Sequence, residues 1–232
     1  MCGRYSLVCI DELGNRFRVH NPMIGTHSRF NVAPGNEMPV IARDGGKNEI
    51  AVMKWGLVSC RAEDPASSPR PINARAEGLA EKPMFRPLLE DRRCLVPASG
   101  FFEWKKEGKR KFPFWFRLLG EPLFSFAGLC NTWQGPGGQR HSSYAIITCR
   151  PNALVGKIHD RMPVILTREN EERWLADGSV TPAALGDLLG PWPAGDMEMV
   201  PVTALVNNPN IDDERVVRPL ASHARAQTLL PE

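Results

Sequence analysis

The side chains best suited to covalent chemistry stand at the start of the chain, where Cys2 follows Met1. A small residue after Met1 is compatible with methionine removal in the cell. Cys2 would then present a thiol and a free α-amine on adjacent carbons. The reference pKa of such an amine is about 7.8, against about 10.4 for lysine, so it holds roughly several-hundred-fold more free base at neutral pH. It adds to an aldehyde as a Schiff base, and the neighbouring thiol can close a five-membered ring on the imine carbon. The second step is intramolecular and runs at a very high effective concentration. A 1,2-aminothiol is therefore an aldehyde trap, although a cysteine at position 2 taken alone also fits chance.

Three further segments carry candidate groups. In Pro71-Ile72-Asn73-Ala74-Arg75-Ala76-Glu77, a proline-flanked entry into a helix-favouring run predicts Asn73 and Arg75 near a strand-to-helix corner. Asn can hold a backbone or substrate oxygen and Arg a phosphate; a helix cap with a surface ion pair would use the same residues. In Gly100-Phe101-Phe102-Glu103-Trp104 one carboxylate sits among aromatics. Buried there, Glu103 would have a raised pKa that suits general acid or base work near neutral pH; turned outward, it would be an ordinary polar strand residue. In Ile158-His159-Asp160-Arg161-Met162 the alternation lets one face offer His159 and Arg161 together. His159 is then either a proton shuttle or a core histidine satisfied by Asp160. Arg4, Arg75 and Arg161 each lie within two residues of a candidate catalytic group. Lys105, Lys106, Lys109, Arg110 and Lys111 cluster in one predicted hairpin turn, the pattern of a solvated tip more than of a binding patch. His20, His27, His141 and His223 sit in polar contexts and take no role.

The elements that must position these groups are mostly strands. Met38–Arg43 and Glu49–Trp55 flank a turn at Asp44-Gly45-Gly46. Gly100–Lys105 and Lys111–Leu118 flank the basic turn, and Phe112, Phe114, Phe116 and Leu118 alternate with Pro113, Trp115 and Arg117. Leu123–Trp133, Tyr144–Cys149 and Met197–Val202 complete the predicted strands. Helices are predicted at Asp11–Val19, at Arg168–Ala176 behind an N-cap at Thr167, and at Ala183–Leu189 behind Thr181 and Pro182. Short helical pieces are expected at Glu77–Ala80 and Met84–Glu90. Many strands with scattered short helices predict an α+β fold, with a curved, mainly antiparallel β-sheet or barrel core and short flanking helices.

Composition sets the outer bounds. Of 232 residues 42% are apolar and 24% charged, which excludes a disordered chain. The 20 glycines and 21 prolines argue for frequent turns and against bundles or coiled coils. No apolar run approaches the roughly 18–20 residues of a membrane span, and the start lacks the apolar stretch of a signal peptide, so the expected location is the cytoplasm. A net charge of +3 permits nucleic-acid binding without demanding it. The six cysteines show no CxxC pair and the histidines are scattered, so no metal and no cofactor are expected. The five cysteines other than Cys2 read as small buried hydrophobes. No composition shift marks a domain boundary, so one domain over 1–232 is expected.

Seven segments in order, MCGRYSL, RFNVAPG, MKWGL, INARAE, KPMFRPLLEDRRCLVPASGFFEW, IHDRMPVIL and VNNP, resemble the SOS response-associated peptidase (SRAP) family of abasic-site processing proteins. The resemblance runs from Met1 to about Pro209 and leaves 210–232 as a C-terminal tail. It implies a single α+β domain with a positively charged groove for single-stranded DNA. Cys2, freed of Met1, would crosslink to the ring-opened aldehyde of an abasic site as a thiazolidine and shield the lesion. The resemblance also implies that Asn73 orients Cys2 and the sugar, that Glu103 acts as acid or base in ring opening, and that His159 assists the Schiff-base chemistry. Arg4, Asn31, Arg75 and Arg161 fall on positions that look like phosphate and sugar contacts. The partner would be single-stranded DNA with abasic sites, bound by a monomer, cytoplasmic and nucleoid-associated when on DNA. An abasic site has no base to unstack, so its extrusion should cost little, and binding should weaken with salt. One departure stands out: Ser59 and Arg61 occupy places where the family commonly has Pro and Trp, which puts base stacking there in doubt and leaves Arg61 a cation–π or phosphate role. At Phe102 the common Tyr hydroxyl is lost.

Three activities compete on these residues. A DNA–protein crosslinking enzyme, with β-elimination as a side reaction, requires a covalent adduct that depends on Cys2. A cysteine-dependent autopeptidase or amidase of N-terminal-nucleophile type requires turnover of an amide, including autocatalytic loss of Met1. A non-catalytic single-strand-binding module requires equal affinity for intact and abasic strands.

Overall fold

The computed structural model describes residues 2–21, 27–178 and 186–220. Its strands in chain order are β1 (Tyr5–Leu7), β2 (Arg29–Val32), β3 (Glu37–Asp44), β4 (Lys47–Trp55), β5 (Asn73–Arg75), β6 (Arg93–Ala98), β7 (Gly100–Glu107), β8 (Arg110–Leu118), β9 (Phe124–Gln134), β10 (Arg140–Cys149), β11 (Met162–Pro163), β12 (Ile165–Leu166) and β13 (Met197–Pro201). The helices α1 (Leu13–Phe17), α2 (Leu88–Asp91) and α3 (Arg168–Leu175) are short and lie outside the sheets.

Strands β10, β4, β3, β6 and β9 hydrogen-bond in a ring, because β9 pairs with β10 as well as with β6. A ring of this kind has no free edge and closes as a small barrel. The expected α+β class with a curved, mainly antiparallel barrel core is the one observed. The second sheet runs β13-β8-β7-β1-β2 and packs on the barrel. Buried aromatics fill the space between: Tyr5 meets Trp55 and Phe126 edge-on at 5.2 and 5.9 Å, and its hydroxyl shares a 2.8 Å hydrogen bond with that of Tyr144. These side chains sit directly behind the segment that carries Cys2.

Local sequence explains most elements. Asp44 pairs with Lys47 around Gly45-Gly46, both glycines at positive φ, which is the two-residue turn that matches strand twist. Thr167 caps α3, its hydroxyl accepting from the Asn170 N–H at 3.2 Å. Three helical expectations change. Asp11–Val19 resolves into a 3₁₀ turn at Ile10–Glu12 followed by α1, and ends where Arg18 adopts a left-handed conformation. Glu77–Ala80 is turn, because Gly78 takes φ +72°. The helix expected over Met84–Glu90 begins only after Pro87, whose ring supplies no N–H for a preceding turn. Thr181 and Pro182, with the first residues of the helix expected at Ala183–Leu189, lie outside the described residues, as do Met1 and His223. Among the five other cysteines, Cys94, Cys130 and Cys149 are buried as expected, but Cys60 is exposed on the loop after β4 and Cys9 is half-buried.

Candidate active site

The segment from Cys2 to Arg4 extends β1 along β7, with the Phe102 N–H donating to the Arg4 carbonyl at 3.0 Å. Cys2 is buried. Its carbonyl accepts from Asn73 Nδ2 at 2.9 Å. Asn73 opens β5, which runs parallel to β10 in register with Ile146, so the predicted strand-to-helix corner is a strand that leads into a turn. Asn73 Oδ1 is buried and, among the described residues, accepts no hydrogen bond. Its capacity is open to an amine or a sugar hydroxyl.

Glu103 lies on β7 opposite Phe114 and is 3% exposed. Burial raises its pKa to about 7, so near neutral pH it can both give and take a proton. Burial and the field of Glu103 together push the Cys2 thiol far above its ordinary value. His159 follows the 3₁₀ turn Val155–Lys157, which Asn152 fixes by accepting from the N–H groups of Leu154 and Val155. His159 Nε2 stands 4.0 Å from Glu103 Oε2. Its Nδ1 accepts the Arg161 N–H at 3.0 Å, which assigns the proton of the neutral ring to Nε2, facing Glu103. Burial lowers the pKa of His159 and favours this neutral form. The Asp160 carboxylate approaches Nδ1 at 3.0 Å and is 87% exposed.

Gly3, Arg4, Glu103, Trp104, His159 and Asn207, together with Lys106 and Lys111, line a cavity of about 490 Å³. Arg4 reaches it half-buried, and Arg75 is exposed on β5. Arg61 is exposed on the loop after β4. Asn31 and Arg161, expected to contact sugar or phosphate, both have partners within the fold. Asn31 is fully buried, and its Nδ2 donates to the carbonyls of Val206, Asn208 and Ile211. Its role is to anchor the turn that carries Asn207. The Arg161 guanidinium is 11% exposed and held by both oxygens of Glu77, at 2.9 and 2.8 Å. A phosphate could reach it only by displacing Glu77. Trp104 was not singled out for a role from sequence, yet its Nε1 donates to Asn207 Oδ1 at 2.7 Å and fixes the indole at the cavity wall. The signal was present in the VNNP segment but has no local chemistry of its own.

The model of the family described as SOS response associated peptidase (SRAP) matches residues 1–209. The chain belongs to this family. Two curated SRAP relatives, the abasic site processing proteins YoqW and YobE of Bacillus subtilis (strain 168), are each 41% identical, over 221 and 215 residues. The first match covers 94% of this chain and 99% of YoqW, the second 91% of this chain and 98% of YobE. The crystal structure of a Bacteroides thetaiotaomicron protein superposes with a TM-score of 0.84 at 28% identity, covering 94% of this chain and all of that one. Among the described residues no helix is long and apolar enough to cross a membrane, and no three His, Cys, Asp or Glu groups stand close enough to hold a metal ion.

Proposed function

We propose that the protein processes abasic sites in single-stranded DNA by capturing the ring-opened sugar covalently on Cys2. The observation that carries this reading is the Asn73 hydrogen bond to the Cys2 carbonyl, which holds the N-terminal cysteine beside a carboxyl of pKa about 7 and a neutral histidine. The relatives named abasic site processing proteins support the substrate class.

The chemistry begins with loss of Met1, which leaves the Cys2 amine. Protonated Glu103 gives its proton to the sugar ring oxygen as the C1–O bond breaks, and the C1 hydroxyl releases its own proton to water as the aldehyde forms. The amine adds to the carbonyl carbon and water leaves, giving an imine. The Cys2 sulfur then bonds to the imine carbon while the nitrogen gains a proton, so the thiol proton is conserved overall and the product is a thiazolidine. Because burial disfavours the thiolate, the thiol proton must leave as the C–S bond forms. The Glu103 carboxylate left by ring opening is the acceptor at hand. Neutral His159 holds its Nε2 proton toward the same place and assists removal of water. An imine also acidifies the adjacent sugar carbon, so strand cleavage by β-elimination is a side reaction of the same intermediate.

The raised pKa of Cys2 weighs against an amidase that attacks foreign peptides, since such a nucleophile works as a thiolate. Intact-mass spectrometry decides the reading. Protein lacking Met1, incubated with an abasic oligonucleotide, should gain the mass of the strand minus one water, and Cys2→Ala should gain nothing. An unmodified wild-type mass would reject the proposal.

A further inference from the structure

Lys106 and Lys111 face each other directly across the β7–β8 pair, one step from the turn at Gly108-Lys109. Directly opposed side chains in an antiparallel pair have Cβ atoms roughly 4.5–5.5 Å apart, and like charges there work against the sheet. Their neighbours are arranged otherwise. Lys105 points to the other face and pairs with Glu107 at 2.7 Å, and Glu107 stands opposite Arg110. Among the described residues no carboxylate pairs with Lys106 or Lys111. The sequence pattern alone reads as a solvated tip, but both lysines line the cavity that Glu103 and His159 share. Burial chiefly lowers the His159 pKa, and Lys106 is among the charges that add to it, so its field reaches the catalytic end.

Lys106 is three residues along β7 from Glu103, roughly 10 Å at the rise of a strand. It is therefore too far to act on the reacting carbonyl, yet it lines the same cavity as Glu103. Trp104, on the same face of β7 as Lys106, is held by Asn207 and lines the same cavity. Among the described residues the opposed charges lack a counter-ion, and an anion held between them removes their repulsion.

We propose that Lys106 and Lys111 form a phosphate-binding subsite that grips the DNA backbone next to the captured sugar. This rests on the single-strand reading above, but its test does not depend on the crosslink. The probe is an intact oligothymidylate, which has no aldehyde, and its affinity is measured against salt concentration. Each phosphate contact to a single strand contributes about 0.7 to the log–log slope. The double variant Lys106→Gln, Lys111→Gln should lose roughly 0.7–1.4 of that slope and bind about tenfold more weakly near 0.1 M salt. Lys106→Arg with Lys111→Arg should keep the slope, and Lys105→Gln should leave it unchanged. Without DNA the double Gln variant should melt at or above the wild-type temperature, which a merely structural pair would not allow. A retained slope in the double Gln variant, or an equal loss in Lys105→Gln, overturns the subsite. If wild-type protein binds the intact strand with the Lys-dependent slope but never crosslinks an abasic one, the chemistry on Cys2 fails and the subsite stands.

Discussion

The Nε2 proton of His159 faces Glu103 across 4.0 Å, and one backbone N–H, that of Arg161, sets this orientation from the far side of the ring. The pair thus holds one mobile proton near neutral pH, on Glu103, and one fixed proton, on His159. Crosslinking needs Glu103 protonated for ring opening and the Cys2 amine unprotonated for attack. The rate should rise with the amine, whose reference pKa is about 7.8, and fall as Glu103 ionises around 7. Single-turnover crosslinking should therefore trace a bell against pH with its maximum between these values. Glu103→Gln should flatten the falling limb and cost at least about 10²-fold in rate. A wild-type profile that keeps rising to pH 9 would remove Glu103 from the acid role.

The same carboxyl makes stability depend on pH. Its folded-state pKa, about 7, lies above the ordinary 4.5, so between these values the folded chain binds more protons than the unfolded one. Stability then decreases as pH rises through that window. At about 1.4 kcal/mol per unit the loss amounts to a few kcal/mol. Glu103→Gln is neutral throughout and escapes it. Calorimetry should find the variant gaining on wild type between pH 5 and pH 8. Parallel melting curves at the two pH values would mean that Glu103 is not held in its protonated form.

Much of this was legible in the sequence because the deciding contacts are local. Gly45-Gly46 names its own turn and Thr167 its own cap, while Phe102 and Trp104 left the burial of Glu103 open until the structure placed it at 3% exposed. What was not legible depends on partners far along the chain. Asn31 carries the same letter whether it meets a sugar or three carbonyls 175–180 residues away. Nothing in the Arg161 segment shows that Glu77, 84 residues earlier, pairs with its guanidinium. Strands β1 and β5 are three residues long, too short to show a period, and exist because longer neighbours supply their hydrogen bonds.

Asn31 should therefore behave as a structural residue. Asn31→Ala strips an amide donor from the carbonyls of Val206, Asn208 and Ile211 in a buried place, at about 2–4 kcal/mol. For a domain of this size that is roughly 5–15 °C in Tm. Measured well below that temperature, affinity for an intact single strand should stay within about twofold of wild type, since the side chain is fully buried. The opposite pattern, an unchanged Tm with a large loss of affinity, would restore Asn31 to the DNA interface.

Gly100 tests how strictly the sheet sets the position of Cys2. It pairs with Ser6 where β1 meets β7, two residues before the Phe102 N–H that holds Arg4. A Cβ at Gly100 would overlap the Trp115 indole and come within 2.7 Å of the Phe116 carbonyl. The indole cannot move without breaking its 3.1 Å hydrogen bond to Ser6, which belongs to the same strand as Tyr5. Gly100→Ala should thus cost about 1–3 kcal/mol as an overpacked site. It should also shift β1 against β7, and a displacement near 1 Å at Cys2 is worth about 10²-fold in the crosslinking rate. Rate and Tm measured on one preparation separate the two effects. A variant that loses stability but crosslinks at the wild-type rate would show that the N-terminal segment is positioned by Asn73 alone.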